Sequence, residues 1–173
     1  MTGIARTFAL TASAAVASLA LSPTSFAQPA DPAAPRAFQP CDWVTTQETA
    51  DIFGAPVTPE PTDGAAGVNH PRCFYAVTGD DTGLGISSEL LLPGASPVDA
   101  GTRLANAAAE PGAATVDGLG VNAVCVFEPN VTPPSTTILV LLDGGRIYRA
   151  TAAYEYCDTV ERFARTAINR ITT

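Results

Sequence analysis

The chain has 173 residues, with nine arginines, no lysine and seventeen carboxylates, for a formal net charge of −8 at pH 7; this is the length of one domain with a short extension. An acidic surface repels phosphate backbones, so nucleic acid and anionic lipid are poor partners. The missing lysine excludes a Ser–Lys dyad and a Schiff-base enzyme outright.

Residues 1–27 read as a secretory signal peptide. Arg6 supplies the positive charge, Phe8 to Leu21 an almost unbroken small and apolar run, and Pro23 its end. Ser25-Phe26-Ala27 then places small residues at −3 and −1 of a cleavage site. The run is shorter than the ~20 residues of a membrane-spanning helix, and no Cys follows it before Cys41, which argues against lipidation. The mature chain is expected to start at Gln28 as a secreted, extracytoplasmic protein, soluble and without a membrane span. Residues 28–40, QPADPAAPRAFQP, hold four prolines and little to bury, the composition of a disordered Pro/Ala-rich leader. Residues 41–173 form the domain.

Thr45 and Glu48 make a capping box for a short first helix, which Gly54 and Pro56 end. Ala50 and Phe53 face inward, and Trp43 packs at its entrance. Residues 55–72 read as a long Pro- and Gly-rich loop, and connections of that length are often functional; this is the expected recognition segment. Cys73 to Thr78 is a strand turned by GDDTG. Leu84 to Leu92 is a second, with Leu84, Ile86, Ser88, Leu90 and Leu92 on one face. Ser96-Pro97-x-Asp99 opens a second helix that runs through Leu104 to about Ala109 and stops at Pro111-Gly112. Val121 to Phe127 and Thr136 to Leu142 are the third and fourth strands, the fourth buried on both faces. Asp143-Gly144-Gly145 turns into a fifth, Arg146 to Tyr154. In the last helix Asp158 and Glu161 cap and charge the start. Val160, Phe163, Ala164, Ala167, Ile168 and Ile171 form one apolar stripe, with Arg162, Arg165 and Arg170 off it. The order α-β-β-α-β-β-β-α with short connections predicts an α+β fold, a five-stranded mainly antiparallel sheet with helices packed on it.

The four cysteines, Cys41, Cys73, Cys125 and Cys157, predict two disulfides in an exported chain. No Cys-x-x-Cys pair suggests zinc. Three pairings are open. Cys41–Cys73 with Cys125–Cys157 is preferred, because each bridge closes a loop of about 32 residues and contributes about 3 kcal/mol through the unfolded state.

Several short motifs together resemble an uncharacterised family, a domain of unknown function, of small actinobacterial secreted proteins and lipoproteins. They are Pro40-Cys41, the Thr-capped helix Thr45 to Phe53, Gly54-Ala55-Pro56-Val57, Cys73-Phe74 and Gly118-Leu119-Gly120-Val121-Asn122-Ala123. A strand, Gly turn, strand and Ala-rich helix complete the pattern over residues 40–171. The chain departs from it in lacking a lipidation Cys, and in having Arg72-Cys73-Phe74 where the family has Arg-Trp. The resemblance implies a cell-envelope address and no particular activity.

The residues themselves show no catalytic constellation. His70, the single histidine, has no partner at metal-ligand spacing. Ser87, Ser88, Ser96 and Ser135 lie outside any Gly-x-Ser-x-Gly. Asp80-Asp81 fits a hairpin turn better than a calcium loop, and Gly118-Leu119-Gly120 precedes a strand where a phosphate loop would open a helix. The expectation is a non-catalytic binding module without cofactor or metal, recognising an envelope or extracellular protein, a glycan or an apolar ligand. The alternative is a secreted hydrolase using dispersed carboxylates such as Glu89 and Glu128.

Overall fold

The computed structural model describes residues 40–62, 71–80 and 82–172. The signal peptide, the leader up to Gln39, His70 and Asp81 lie outside them. The elements in chain order are α1 (Thr46–Phe53), β1 (Val57–Thr62), β2 (Arg72–Val77), β3 (Gly85–Leu91), α2 (Ala100–Ala108), β4 (Ala113–Thr115), β5 (Asn122–Glu128), β6 (Ser135–Leu142), β7 (Arg146–Ala153) and α3 (Cys157–Ile171). All strands join one antiparallel sheet of seven, in the order β1-β2-β3-β7-β6-β5-β4.

The α+β class and antiparallel pairing match the sequence expectation, but the sheet has seven strands where five were expected. The two additions are its edges. β1, VTPEPT, occupies the first part of what reads as a loop at 55–72; it pairs along β2 from Val57↔Val77 to Thr62↔Arg72. β4, Ala-Ala-Thr, pairs with β5 at Ala113↔Val126. Residues 63–70 of the expected recognition loop lie outside the described residues.

α1 and α3 cover one face of the sheet and α2 the other, which follows from strand alternation. On the first face Tyr75, Ile86, Leu90, Cys125, Ile138, Val140, Tyr148 and Ala150 meet the α3 stripe of Val160, Phe163, Ala164, Ala167, Ile168 and Ile171, all buried. On the second, Leu104 of α2 packs on Val124, Val126, Leu139 and Ile147. β6 supplies buried residues to both layers, as its unbroken apolar run requires.

The helix ends follow local chemistry. Thr45 and Glu48 form the full capping box, and Gly54 closes α1 at φ 71°. Asp99, rather than Ser96, caps α2: its carboxylate accepts from the Thr102 N–H at 2.9 Å. Asp158 does not cap α3. Tyr156 occupies that position without a side-chain bond, and Asp158 lies in the first turn.

Both bridges join the preferred partners, Cys41 to Cys73 and Cys125 to Cys157. The first fastens the turn Pro40–Asp42 to β2, the second the start of α3 to β5. Arg170 near the end of α3 donates to both Glu48 carboxylate oxygens, at 2.7 and 2.9 Å, and to the Trp43 carbonyl at 2.7 Å, tying α3 to the start of α1. Tyr75 is fully buried and donates to the Val44 carbonyl (2.5 Å) and the Cys41 carbonyl (3.1 Å); burial pushes its hydroxyl up to about 12.

Candidate functional site

The residues singled out from sequence are spread through this frame. The cysteines are all oxidised and structural. Ser88 is buried and shares a 3.0 Å hydrogen bond with the Tyr148 hydroxyl. Ser87 donates to the Thr151 carbonyl, and Ser96 accepts from the Val98 N–H. Asp80 folds its own hairpin: its carboxylate accepts from the N–H groups of Leu84 (2.9 Å) and Thr82 (3.2 Å), which hold it below its ordinary range. Gly118 and Gly120 have φ of 66° and 62° around the buried Leu119. A Cβ on Gly120 would stand 2.5 Å from the Leu141 carbonyl oxygen, so this glycine admits a close strand crossing.

Glu89 and Glu128, the carboxylates considered for hydrolysis, are not brought together. Glu89 is buried on β3 and bonded by the Arg149 guanidinium of β7, its Nε at 2.8 Å. Glu128 is exposed at the end of β5, three strands away and four residues beyond the register of Glu89. At ~4.8 Å per strand and ~3.4 Å per residue they stand roughly 20 Å apart, against at most ~9.5 Å for a glycosidase pair. Among the described residues no three His, Cys, Asp or Glu side chains gather to hold a metal ion.

The exposed aromatic side chains gather at one end of the sheet, where β5 stops, β6 starts and β7 hands over to α3. Among the described residues the exposed large apolar and aromatic side chains are Val98, Val121, Val131, Tyr154 and Tyr156. Three of these five, Val131, Tyr154 and Tyr156, stand at this end. Tyr154 is 56% and Tyr156 70% exposed, and the Tyr156 ring lies 5.9 Å from that of Phe127, tilted by 41°. Exposed aromatic rings on a fixed backbone are typical of binding surfaces.

The backbone beneath the rings is clamped. The Tyr154 N–H donates to the Pro134 carbonyl at 2.8 Å. The buried Thr136 hydroxyl donates to the Glu155 carbonyl. Cys157, next in the chain after Tyr156, is bonded to Cys125. Tyr154 also sits at φ 60°, the one non-glycine residue at positive φ among the described residues; for a bulky side chain this conformation costs about 1–2 kcal/mol. The clamp holds it there and turns the ring outward.

Phe127, the ring partner of Tyr156, also lines a cleft of about 340 Å³, bounded by Glu110-Pro111-Gly112 on one side and by Val126 to Val131 on the other. Its walls are Pro111, Val126, Phe127, Pro129 and Val131; its charged groups are Glu110 and Glu128. Such a site can stack on a flat or cationic group and accept hydrogen bonds. Of its residues only Glu128 was singled out from sequence, and then as a hydrolase carboxylate. Tyr154-x-Tyr156, two large rings between a strand and the apolar stripe of a helix, was the one available signal. A larger hollow of about 440 Å³ lies at the other end of the sheet. Its arginine, Arg165, is already held by Glu161 and by the Asp117 and Gly118 carbonyls.

Comparison with family models, with curated proteins and with solved structures finds no match to this chain.

Proposed function

We propose that the chain is a non-catalytic binding module of the cell envelope or extracellular medium, and that it binds through the Tyr154–Tyr156 end of its sheet. The observation that carries this is a pair of tyrosines left 56% and 70% exposed while their backbone is clamped by two hydrogen bonds and a disulfide. A strained, outward-facing ring is retained against a stability cost when it serves a partner. The extracytoplasmic address is supported by two disulfides, which persist in oxidising compartments, by the signal-like residues 1–27, and by the resemblance to small actinobacterial secreted proteins. Among the described residues no helix is long and apolar enough to cross a membrane.

The test compares the disulfide-intact protein with a Tyr154→Ser, Tyr156→Ser variant. Both are used to recover partners from envelope and culture-fluid fractions, and unfolding midpoints confirm that the variant is folded. Loss of the captured partners from the folded variant is expected. Retention of every partner would reject the tyrosine end as the binding surface.

A further inference from the structure

We infer that the ligand of the tyrosine end is a cationic peptide segment, an arginine-bearing stretch of a partner protein. The inference rests on the reading of this end as the binding surface and adds the chemistry of what it takes.

The argument begins with charge. Glu110 and Glu128 line the cleft, and Glu155 and Asp158 lie within two residues of Tyr156 in the chain. Among the described residues none of the four enters an ion pair. The pairs that are made lie elsewhere, between Arg149 and Glu89, Arg165 and Glu161, and Arg170 and Glu48. Arg162, one helical turn from Asp158, gives its guanidinium to the Ile52 carbonyl of α1 at 3.2 Å. The cleft is lined by two carboxylates and no cation.

Unpaired carboxylates in water are ordinary by themselves. Here Glu110 and Glu128 share one cleft with apolar walls and the Phe127 ring, which in turn meets Tyr156, and that combination selects a ligand. A guanidinium stacks on a ring face and donates in the plane of its fork to a carboxylate, so one side chain satisfies both features. Its alkyl stem covers prolines and Val131. A neutral sugar could stack on the tyrosines and donate hydroxyls to the carboxylates, but it would leave their charge unneutralised, and an anionic ligand would be repelled by them. The chain's net charge of −8 draws a cationic segment in from a distance.

Three probes separate the possibilities: hexa-arginine, its uncharged hexa-citrulline counterpart, and the neutral sugar chitohexaose. Each is titrated into the disulfide-intact protein while the ring resonances of Phe127, Tyr154 and Tyr156 are followed by NMR. Hexa-arginine should shift these rings, weaken with rising salt, and bind about tenfold less tightly to the Glu110→Gln, Glu128→Gln variant, a change of about 1.4 kcal/mol. Asp117→Asn, Asp143→Asn, at the opposite end of the sheet, should alter binding by less than about twofold. Hexa-citrulline should not bind.

If chitohexaose or hexa-citrulline moves the tyrosine rings and hexa-arginine does not, the cationic ligand is wrong and the binding surface stands. If hexa-arginine binds without touching the rings, or equally to both double variants, it senses only net charge and the inference fails. If no probe moves the rings, and the tyrosine variant still captures every partner, the binding surface fails as well.

Discussion

Replacing Phe163 by Ala should remove a large part of the stability of this domain. The ring is fully buried in α3 and meets Tyr75 edge-on, centroids 5.5 Å apart at 76°. Truncating a buried phenylalanine costs about 3–5 kcal/mol, the loss of transfer free energy plus the cavity that remains. The upper part of that range applies here because Tyr75 cannot swing into the space: its hydroxyl is held by the carbonyls of Val44 and Cys41. Against a typical total of about 5–15 kcal/mol, a loss of ~4 kcal/mol leaves the variant close to unfolding. With an m-value of ~2 kcal/mol/M, the urea midpoint should fall by about 2 M, measured with both disulfides intact. Arg162→Ala is the internal comparison. That side chain is exposed and makes one bond, to the Ile52 carbonyl, so its loss should cost less than about 1 kcal/mol. Similar midpoints for the two variants, or a Phe163→Ala shift near zero, would mean that the buried face of α3 has been misassigned.

Two further outcomes follow from single contacts. Hydrogen bonds from the Arg170 guanidinium hold the Glu48 carboxyl at about 2, below its ordinary 4.5; the folded-state value is the lower one, so the stability from this group is complete above about pH 4.5 and drains away as pH falls toward 2. Because Glu48 is 37% exposed, that contribution is under about 1 kcal/mol. Glu48→Gln keeps a capping side chain and should flatten the acid limb of a pH–stability curve; an unaltered limb would show that the pair is not formed in solution. Gly120→Ala places a Cβ 2.5 Å from both the Leu141 carbonyl oxygen and the Val140 Cγ1, at φ 62°, and should destabilise by more than about 2 kcal/mol. A thermal midpoint within a degree or two of the parent would contradict the close crossing.

Much of the frame was legible because its signals are local. The α3 stripe, the capping box at Thr45 and the two-faced burial of β6 can each be read within one short window, and each is found in the fold. β1 was not legible. Pro59 and Pro61 remove amide hydrogens and argue against a strand, and what makes the segment one is its partner β2, brought to it through a connection the local pattern does not reveal. Three residues of Ala-Ala-Thr are too short to read as β4. The tyrosine end was hidden for another reason. Phe127 and Tyr156 are far apart along the chain and meet because β5, β6 and β7 lie side by side in that order, a consequence of the whole topology and of the Cys125–Cys157 link.

The same two edge strands limit how the molecule meets others. A strand can recruit another chain only by offering a row of free amide hydrogens and carbonyls. At β1, prolines 59 and 61 interrupt that row; at β4 the row is three residues long. Among the described residues both edges of the seven-stranded sheet are therefore poor backbone templates for copies to stack on at high concentration. Among the described residues, addition of a further strand is disfavoured at both edges for the same reason.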